Sequence, residues 1–373
     1  MRDIGIGVIG TGFMGKAHTF AYRAAGGIFP GSLQPVLQTV ADINSSAAQQ
    51  AAKQFGFKGW TSDWRELLAD PAIEVISITT PNATHKEMSL AALAAGKHVH
   101  CEKPIAPDAA TAEEMARAAQ ASGLVTQVGF NYIKNPVLKL AREMIANGEL
   151  GEITGFRGVH AEDFMADPEV PYSWRFDRTG GAGAIADLGS HIIGMARFLL
   201  GPISEVNAEL ETVVKSRPIA SGASERRAVE VDDIARLTVR FARGCGGTIE
   251  ANWVATGRKM QLGFELHGTK GALVYTQERL NELLYYPAGG NPKTTGFVRI
   301  ESGPQHAPYG LFCVAPGHQL GFNDLKTIEM AEFLAAINGG PKAGPDFQEA
   351  WEIQKIVDTA IKSSQLRQWL PVA

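Results

Sequence analysis

The chain has 373 residues, of which 45% are hydrophobic and 20% charged, and its formal net charge is −4. This length and composition predict a globular protein with more than one domain, and the lack of a basic block argues against nucleic-acid binding. No signal segment and no apolar run of membrane-spanning length is recognised. The three cysteines are widely spaced, which fits a reducing compartment, so a cytoplasmic protein without a disulfide framework is expected.

The first half of the chain alternates apolar strands with helical patterns, which predicts a doubly wound parallel sheet, the Rossmann arrangement. Ligands of such sheets bind beyond the carboxyl ends of the strands. The predicted strands are Ile4–Ile9, Pro35–Ala41, Val75–Thr79, His98–Cys101 and Val125–Gly129. The predicted helices between them are Ser45–Phe55, Ala83–Ala95 and Asp108–Ser122.

A glycine motif follows the first strand, and a helical pattern begins near Phe13. Strand, glycine turn and helix in this order predict a dinucleotide site. Gly10 permits the tight turn, Gly12 lets the backbone approach the phosphates, and Gly15 lets the helix pack close to the strand. The helix start offers free N–H groups to the phosphate charge, with Phe13 and Met14 beside the cofactor. The alternative is a tight strand-to-helix turn without a ligand.

Asp42 follows the second strand and is expected to accept both hydroxyl groups of the adenosine ribose. Its charge would repel a 2′-phosphate, and no basic residue follows it before Lys53. NAD is therefore favoured over NADP as the cofactor. The alternative role for Asp42 is the N-cap of the helix that begins near Ser45.

The other expected cofactor contacts lie at the ends of later strands. Pro81 stops one strand, and the small hydroxyl groups before it leave room for a ribose. Lys103 follows a central strand and is aimed into the cofactor crevice by the turn at Pro104. The alternative for Lys103 is a solvated loop residue. The remaining expected cofactor positions are Thr79, Thr80, Asn82, His85, Glu102 and Asn131.

The alternation stops after Gly129, which predicts two domains. Residues 1–130 would form an NAD-binding Rossmann domain, and residues 131–373 a substrate-binding and oligomerisation domain. Apolar and polar residues alternate along several later segments, which predicts a large, mostly antiparallel open sheet. These segments are Ile234–Phe241, Thr248–Val254, Met260–Leu266 and Ala272–Tyr275.

One face of that sheet needs a cover, and a second subunit in a homodimer or homotetramer would provide it. Helices are predicted over Pro136–Asn147, Phe322–Ile337 and Phe347–Leu370, the last of which can pack back on the Rossmann domain. The polar stretch Lys215–Val231 predicts a mobile surface loop.

The stretch Gly180–Gly201 predicts a glycine-rich lead into a helix that carries Asp187 and His191. At a spacing of four residues the two side chains share one helix face. A histidine and a carboxylate together suit general acid–base catalysis. The alternatives are that Asp187 only caps the helix and that His191 is a hydrogen-bonded core histidine. No third ligand stands at a metal-site spacing, so no metal is expected.

Four motifs, taken together, resemble the glucose–fructose oxidoreductase / inositol dehydrogenase / rhizopine catabolism (Gfo/Idh/MocA) family. They are the glycine motif Gly10–Gly15, Thr80-Pro81-Asn82 with His85, Glu102-Lys103-Pro104, and Asp187-x-x-x-His191. The resemblance runs from residue 3 to about residue 200. It implies a two-domain NAD(P)-dependent oxidoreductase that acts on a CH–OH group of a sugar or cyclitol, such as an inositol, an aldopyranose or an anhydrosugar.

The resemblance also implies catalytic roles for Lys103, Asp187 and His191, which would contact the substrate as well. Lys103 and His191 would flank the reacting oxygen, and which of them accepts the proton first stays open. The further substrate contacts that the family implies are Tyr132, Glu162, Arg175 and His318. Gly194 stands where relatives usually have aspartate, which weakens an inositol-type binding mode.

Two other functions compete with this interpretation. The first is a non-catalytic dinucleotide-binding regulatory protein of the same fold, against which the intact catalytic motif argues. The second is a transferase that uses S-adenosylmethionine, in which Glu102-Lys103-Pro104 would have no role.

Overall fold

The computed structural model describes residues 2–31, 33–180 and 183–372. The chain divides into two compact units: unit 1 is Met1–Lys134 with Gly321–Glu352, and unit 2 is Asn135–Leu320 with Ile353–Ala373. The division differs from the predicted boundary at residue 130, because Gly321–Glu352 belongs to unit 1.

Strands and helices are numbered here in chain order. The strands are β1 (Asp3–Ile9), β2 (Gln34–Ala41), β3 (Gly59–Thr61), β4 (Val75–Ile78), β5 (His98–Cys101), β6 (Thr126–Val128), β7 (Ile153–Ala161), β8 (Ile203–Glu211), β9 (Ser216–Pro218), β10 (Arg226–Ala228), β11 (Ile234–Phe241), β12 (Gly246–Asn252), β13 (Gln261–Gly268), β14 (Gly271–Thr276), β15 (Glu282–Pro287), β16 (Val298–Glu301) and β17 (Leu370–Pro371). The helices are α1 (Phe13–Ile28), α2 (Ser45–Phe55), α3 (Arg65–Ala69), α4 (His85–Ala94), α5 (Ala109–Ser122), α6 (Pro136–Ala146), α7 (Ser190–Leu200), α8 (Tyr309–Phe312), α9 (Phe322–Ile337) and α10 (Phe347–Leu366).

Unit 1 is built on a parallel sheet. Its strand order, within the described residues, is β3-β2-β1-β4-β5-β6, and every neighbouring pair is parallel. The order reverses between β1 and β4, which is the switch point where doubly wound sheets bind their ligands. The predicted Rossmann sheet is confirmed. The short strand β3 was not predicted, because three residues carry too little periodicity.

The core of unit 1 explains why Gly321–Glu352 belongs to it. All residues of β1 after Asp3 are buried, and α9 packs against α1. Met330, Phe333 and Leu334 of α9 join the same apolar cluster as Ile4 and Ile6. The last predicted helix is divided between the units, since α10 begins in unit 1 and continues into unit 2.

Unit 2 is built on a large mixed sheet. Its order, within the described residues, is β16-β15-β14-β13-β7-β12-β11-β8-β17. All neighbouring pairs are antiparallel except β7 and β12, which confirms the mostly antiparallel prediction. Helix α7 packs on β7, β12 and β13, so it covers one face of the sheet. Among the described residues, none of the helices combines the length and apolar character that a bilayer crossing requires.

The stretch Lys215–Val231 is partly ordered as a hairpin. Strands β9 and β10 pair in antiparallel register, and Arg217 on β9 has no exposed surface. The prediction of a loop is therefore wrong for these two strands, although all three residues of β10 are exposed, as expected for a surface stretch. The strands were not predicted because the arginines of this polar stretch form hydrogen bonds with other segments of the chain.

Candidate active site

The glycine motif of unit 1 connects β1 to α1 and has two crowded positions and one open one. A Cβ atom on Gly15 would lie 2.1 Å from the carbonyl oxygen of Gly10, and one on Gly10 would lie 2.8 Å from Thr79 Oγ1. Gly10 also has a φ of 100°, which favours glycine. A Cβ on Gly12 would meet nothing within 4 Å. No side chain caps the start of α1 at Gly12, so the motif offers open backbone N–H groups to a phosphate.

Asp42 forms hydrogen bonds with this glycine motif. Its Oδ2 atom accepts hydrogen bonds from the backbone N–H of Thr11 at 2.9 Å and from the Thr11 hydroxyl at 2.6 Å. The N-cap of α2 is Asn44, whose side chain accepts from Ala47 N–H at 3.1 Å. The alternative role of Asp42 as that N-cap is therefore wrong. The carboxylate lies beyond β2, where the ribose of a dinucleotide binds in Rossmann folds.

The residues after β4 brace the neighbouring strand ends. Thr79 Oγ1 donates to the carbonyl oxygen of Ile9 at 2.9 Å, and the hydroxyl groups of Thr80 and Thr84 lie 2.7 Å apart. His85 is fully buried, with Nδ1 3.0 Å from Pro104 O and Nε2 2.9 Å from Thr80 O. Burial lowers the pKa of His85, and a neutral ring donates to only one of these carbonyls.

His85 therefore links the end of β4 to the Lys103-Pro104 corner from inside the unit. Of the expected cofactor positions that directly follow Thr80, Pro81 is exposed and Asn82 is buried. The peptide bond between Lys103 and Pro104 is cis.

A buried charge cluster lies directly behind Lys103, and it consists of His18, His100, Glu102, Lys326 and Glu329. Glu102 Oε1 lies 2.7 Å from His18 Nε2 and 3.0 Å from Lys326 Nζ. Lys326 Nζ lies 3.3 Å from both carboxylate oxygens of Glu329, and Glu329 Oε1 lies 2.5 Å from His100 Nε2. Glu102 Oε2 accepts the backbone N–H of Lys103 at 3.2 Å. Glu102, expected at the cofactor, thus points into the interior.

The charges of the cluster are balanced inside the unit. Burial alone would raise the pKa of Glu102, but the Lys326 ammonium, with His18 and His100, outweighs burial and holds the pKa well below its usual range. Burial alone would lower the pKa of Lys326, but Glu102 and Glu329 raise it. Burial lowers the pKa of His18 to about 4. Both carboxylates and the ammonium are therefore ionised at neutral pH, and His18 is neutral.

The cluster was missed at the sequence level because its members are far apart in the chain. The one local signal is the presence of Lys326 and Glu329 on the buried side of α9. A Cβ on Gly129 would lie 2.4 Å from Glu102 Oε1, so glycine there gives the carboxylate its space.

Asn131 and three aromatic residues complete the candidate positions of unit 1. Asn131 is buried, and its Nδ2 atom has no hydrogen-bond partner within the described part of the chain. The Phe322 ring lies 5.6 Å from the ring of Phe13 and 6.1 Å from that of Tyr132, and Phe13 is 72% exposed. Met14 is half-buried at the start of α1. The unpaired buried Asn131 donor and the open Gly12 both fit a bound dinucleotide.

In unit 2, Asp187 and His191 do not lie on one continuous α-helix. A π-helical turn, Ile185–Gly189, precedes α7, so the predicted α-helical spacing between the two side chains is wrong. Asp187 lies within that turn, and Arg175 Nε is 3.4 Å from its Oδ2 atom. The Arg175 guanidinium also stacks 4.5 Å from the ring of Trp174. Gly181 and Ala182, in the predicted glycine-rich lead, lie outside the described residues.

His160, which was not predicted, joins the group around His191. The two imidazole rings have centroids 5.5 Å apart. His160 Nδ1 lies 3.0 Å from Leu188 O, and Nε2 lies 3.1 Å from Glu162 Oε1. The signal that the sequence offered was the presence of His160 two residues before the acidic residue Glu162. His318 is exposed, and none of the described contacts joins it to this group.

Asp232, also missed from sequence, holds the start of the π-helical turn. Its Oδ2 atom accepts the backbone N–H of Ile185 at 2.8 Å. A Cβ on Gly183 would lie 2.4 Å from Asp232 Oδ1, so glycine leaves space for this carboxyl group. Burial raises the pKa of Asp232 to about 7.

Comparison with known proteins agrees with both units. Residues 4–130 match the family described as "Oxidoreductase family, NAD-binding Rossmann fold", and residues 138–274 match the "GFO/IDH/MocA C-terminal domain". Levoglucosan dehydrogenase of Pseudarthrobacter phenanthrenivorans is 39% identical over 387 aligned residues, which cover 100% of this chain and 99% of that protein.

Solved structures that match over 100% of both chains include the following two. A levoglucosan dehydrogenase in complex with NADH and levoglucosan has a TM-score of 0.95 and 39% identity. An NAD-binding oxidoreductase from Klebsiella pneumoniae has a TM-score of 0.95 and 40% identity. These full-length relatives are named as dehydrogenases or oxidoreductases, which gives no support to the regulatory or transferase alternatives. The chain belongs to the Gfo/Idh/MocA family of oxidoreductases, with an NAD-binding Rossmann domain in its N-terminal half.

Proposed function

We propose that the protein oxidises a secondary hydroxyl group of a neutral cyclic sugar, of the levoglucosan type, with NAD as the hydride acceptor. The observation that carries this proposal is the acid–base group of unit 2, in which Asp187 faces Arg175 and His191 lies beside His160. The full-length similarity to levoglucosan dehydrogenase supports the substrate class.

The hydroxyl group must lose a proton as its carbon loses hydride, and NAD, when bound, accepts that hydride. We assign the proton to Lys103 and His191, and the orientation of the acid–base group to Asp187. Lys103 suits this role because its backbone is fixed by Glu102 at the end of a central strand. Tyr132, Glu162, Arg175 and His318 are the proposed substrate contacts.

The charges and rings on residues 162–177 favour an uncharged substrate. The Arg175 guanidinium is balanced by Asp187, and the Lys259 ammonium by Asp163 at 2.7 Å. A sugar phosphate would have to compete with these carboxylates for its cations. Phe164 and Trp174 are 41% and 36% exposed, and such rings can pack against the C–H face of a pyranose.

An NAD-linked spectrophotometric screen tests the proposal. Levoglucosan, glucose, inositols and glucose 6-phosphate are each supplied with NAD, and the corresponding ketones with NADH. We expect the highest kcat/KM for a neutral sugar of the levoglucosan type. A preference for inositols or for the phosphorylated sugar would contradict the substrate class. Binding of NAD without reduction by any of these compounds would contradict the catalytic role.

We propose further that the protein is a homodimer or homotetramer, formed through the exposed face of the large mixed sheet. On that face Arg236 pairs with Glu211 at 3.2 Å, and Arg157 pairs with Glu265 at 3.2 Å. Rows of balanced charge can be covered by a second copy of the same face, related by two-fold symmetry. Light scattering after size-exclusion chromatography should give at least twice the chain mass, and a monomer mass would contradict the proposal.

We infer a cytoplasmic location from the cysteines. Cys101, Cys245 and Cys313 are all free in the structure, as is usual in a reducing compartment. Cell fractionation followed by immunodetection should recover the protein in the cytoplasmic fraction, and recovery in an oxidising compartment would contradict this inference.

A further inference from the structure

Unit 2 contains a hairpin arm that folds onto the residues proposed to contact the sugar. The arginine arm is Ser216–Ala228, and the wall segment is Glu162–Asp177. In this fully described stretch the wall segment has little regular structure of its own, with a 3-10 turn at Trp174–Phe176. Its position therefore depends on contacts with neighbouring segments.

Arg217 makes the central contact of the arginine arm. It is fully buried, and its Nη1 and Nη2 atoms donate to Asp167 O at 2.8 Å and to Met165 O at 2.6 Å. Its guanidinium stacks 4.5 Å from the ring of Phe176. A buried cation is costly unless its donors are satisfied. Two guanidinium nitrogens of Arg217 donate to wall-segment carbonyls and its plane stacks on an aromatic ring, while its Nε atom has no hydrogen-bond partner within the described residues. Because the carbonyls and the ring lie near opposite ends of the wall segment, Arg217 holds both ends at once.

Further residues of the arginine arm contact the exposed side of the wall segment. Pro218 O accepts the backbone N–H of Tyr172 at 2.7 Å. Arg226 Nη1 pairs with Glu169 Oε1 at 2.9 Å, and the Arg227 guanidinium stacks 4.3 Å from the ring of Tyr172. The arm thus contacts the wall segment along most of its length.

The arginine arm is connected to the candidate site through one residue, Phe176. Phe176, held between Arg217 and the ring of Trp253 at 5.8 Å, directly follows Arg175. Arg175 in turn faces Asp187. A shift of Phe176 would therefore move the guanidinium that meets Asp187.

We infer that Arg217 is a positioning residue for the sugar site: it holds the wall segment in the form that binds substrate and thereby sets which sugars fit. The inference rests on the proposed function. It assigns to Arg217 an effect on substrate affinity, and no contact with the reacting atoms.

The test compares Arg217→Met and Arg217→Lys with the wild type. Met keeps an unbranched apolar stem but leaves the carbonyls of Met165 and Asp167 without this donor, and Lys cannot form the same planar fork. We expect the sugar KM to rise about tenfold or more in Arg217→Met, with kcat and the NAD dissociation constant nearly unchanged. Arg243→Met, at an exposed position of unit 2 outside the arm and the wall segment, is the matched control and should change KM less than about threefold.

Hydrogen–deuterium exchange, measured without substrate, separates this inference from the proposed function. In Arg217→Met, peptides from the wall segment should exchange faster, while peptides from β11 should not. If the wild type oxidises none of the sugars, the proposed function fails and the exchange result still tests the positioning role. Unchanged wall-segment exchange, or a sugar KM equal to that of the wild type, would overturn the inference. If Arg217→Met does not fold, the same readouts on Arg217→Lys decide.

Discussion

The Lys103 corner of unit 1 and the Asp187–His191 region of unit 2 are held in different ways. Behind Lys103, Glu102, Lys326 and Glu329 balance one another out of contact with water. Around Asp187, the partner is the partly exposed Arg175, and the supporting segment is held by a separate hairpin. The first arrangement ties Lys103, the proposed catalytic side chain, to the stability of the fold. The second leaves the substrate side adjustable without disturbing the core.

The largest effects are expected at Lys103 and His191, the two residues proposed to take the proton. Lys103→Ala should lower kcat by about 10² to 10⁴, with the NAD dissociation constant nearly unchanged, because the backbone contact with Glu102 remains. His191→Asn should also lower kcat. The variant whose kcat/KM loses the acidic limb of its pH profile identifies the first proton acceptor. Lys58→Ala, at an exposed position, is the control, and near wild-type turnover in Lys103→Ala would refute the assignment.

Removing the ammonium of Lys326, the central cation of the buried charge cluster, should destabilise unit 1. Lys326→Met leaves the carboxylates of Glu102 and Glu329 without their ammonium partner, so we expect a loss of about 3 to 5 kcal/mol in the free energy of unfolding. Denaturant titration measures it. Lys53→Met, at an exposed site of α2, should change stability by less than about 0.5 kcal/mol. A similarly small change in Lys326→Met would show that the cluster does not stabilise unit 1.

The contribution of Asp232, at the start of the π-helical turn, to the stability of the fold should depend on pH. Asp232 has a pKa of about 7 instead of 3.8, so the unfolded chain ionises this group at a lower pH than the folded one. Its stabilising share is therefore complete below pH 3.8 and is lost as the pH rises through about 7. Asp232→Asn cannot ionise at this position. At pH 9 its free energy of unfolding should exceed that of the wild type by an amount on the order of 3 kcal/mol.

Thermal unfolding at pH 5 and pH 9 measures this effect in both proteins. At pH 5 the difference between them should be smaller than at pH 9 but not zero, because the unfolded chain already ionises Asp232 above pH 3.8 while the folded protein keeps it protonated. A difference that is the same at both pH values would contradict the account.

The smallest expected effect concerns cofactor choice in unit 1. Asp42→Ala should raise the NAD KM about tenfold and reduce discrimination against NADP, because a carboxylate at the ribose repels a 2′-phosphate. Asn44→Ala is the matched control, since it removes the cap of α2 and leaves Asp42 in place. Unchanged cofactor preference in Asp42→Ala would remove Asp42 from the ribose site.

Local patterns predict those parts of the molecule whose geometry is set locally. The glycine motif, the start of α1 at Phe13 and the strand β11 agree with the sequence-based prediction, because each depends on near neighbours or on strict alternation. The π-helical turn at Asp187 was not predictable, since the same spacing fits an α-helix.

Long-range contacts account for the rest of what the sequence does not reveal. Lys326 and Glu102 are separated by 224 positions, so no local pattern connects them. Arg217 looks solvated in a polar stretch and is buried only because the arm folds onto the wall segment. His160 was missed because β7 carries Gly158 and His160 where an apolar alternation would have marked a strand.

Transfer of deuterium tests the central claim most directly. Levoglucosan deuterated at its secondary alcohol carbons is oxidised in the presence of NAD, and the reduced cofactor is analysed by mass spectrometry. The account predicts one deuterium in each NADH formed by the wild type, and almost none formed by Lys103→Ala. NADH without deuterium, or deuterium transfer by Lys103→Ala at the wild-type rate, would contradict it.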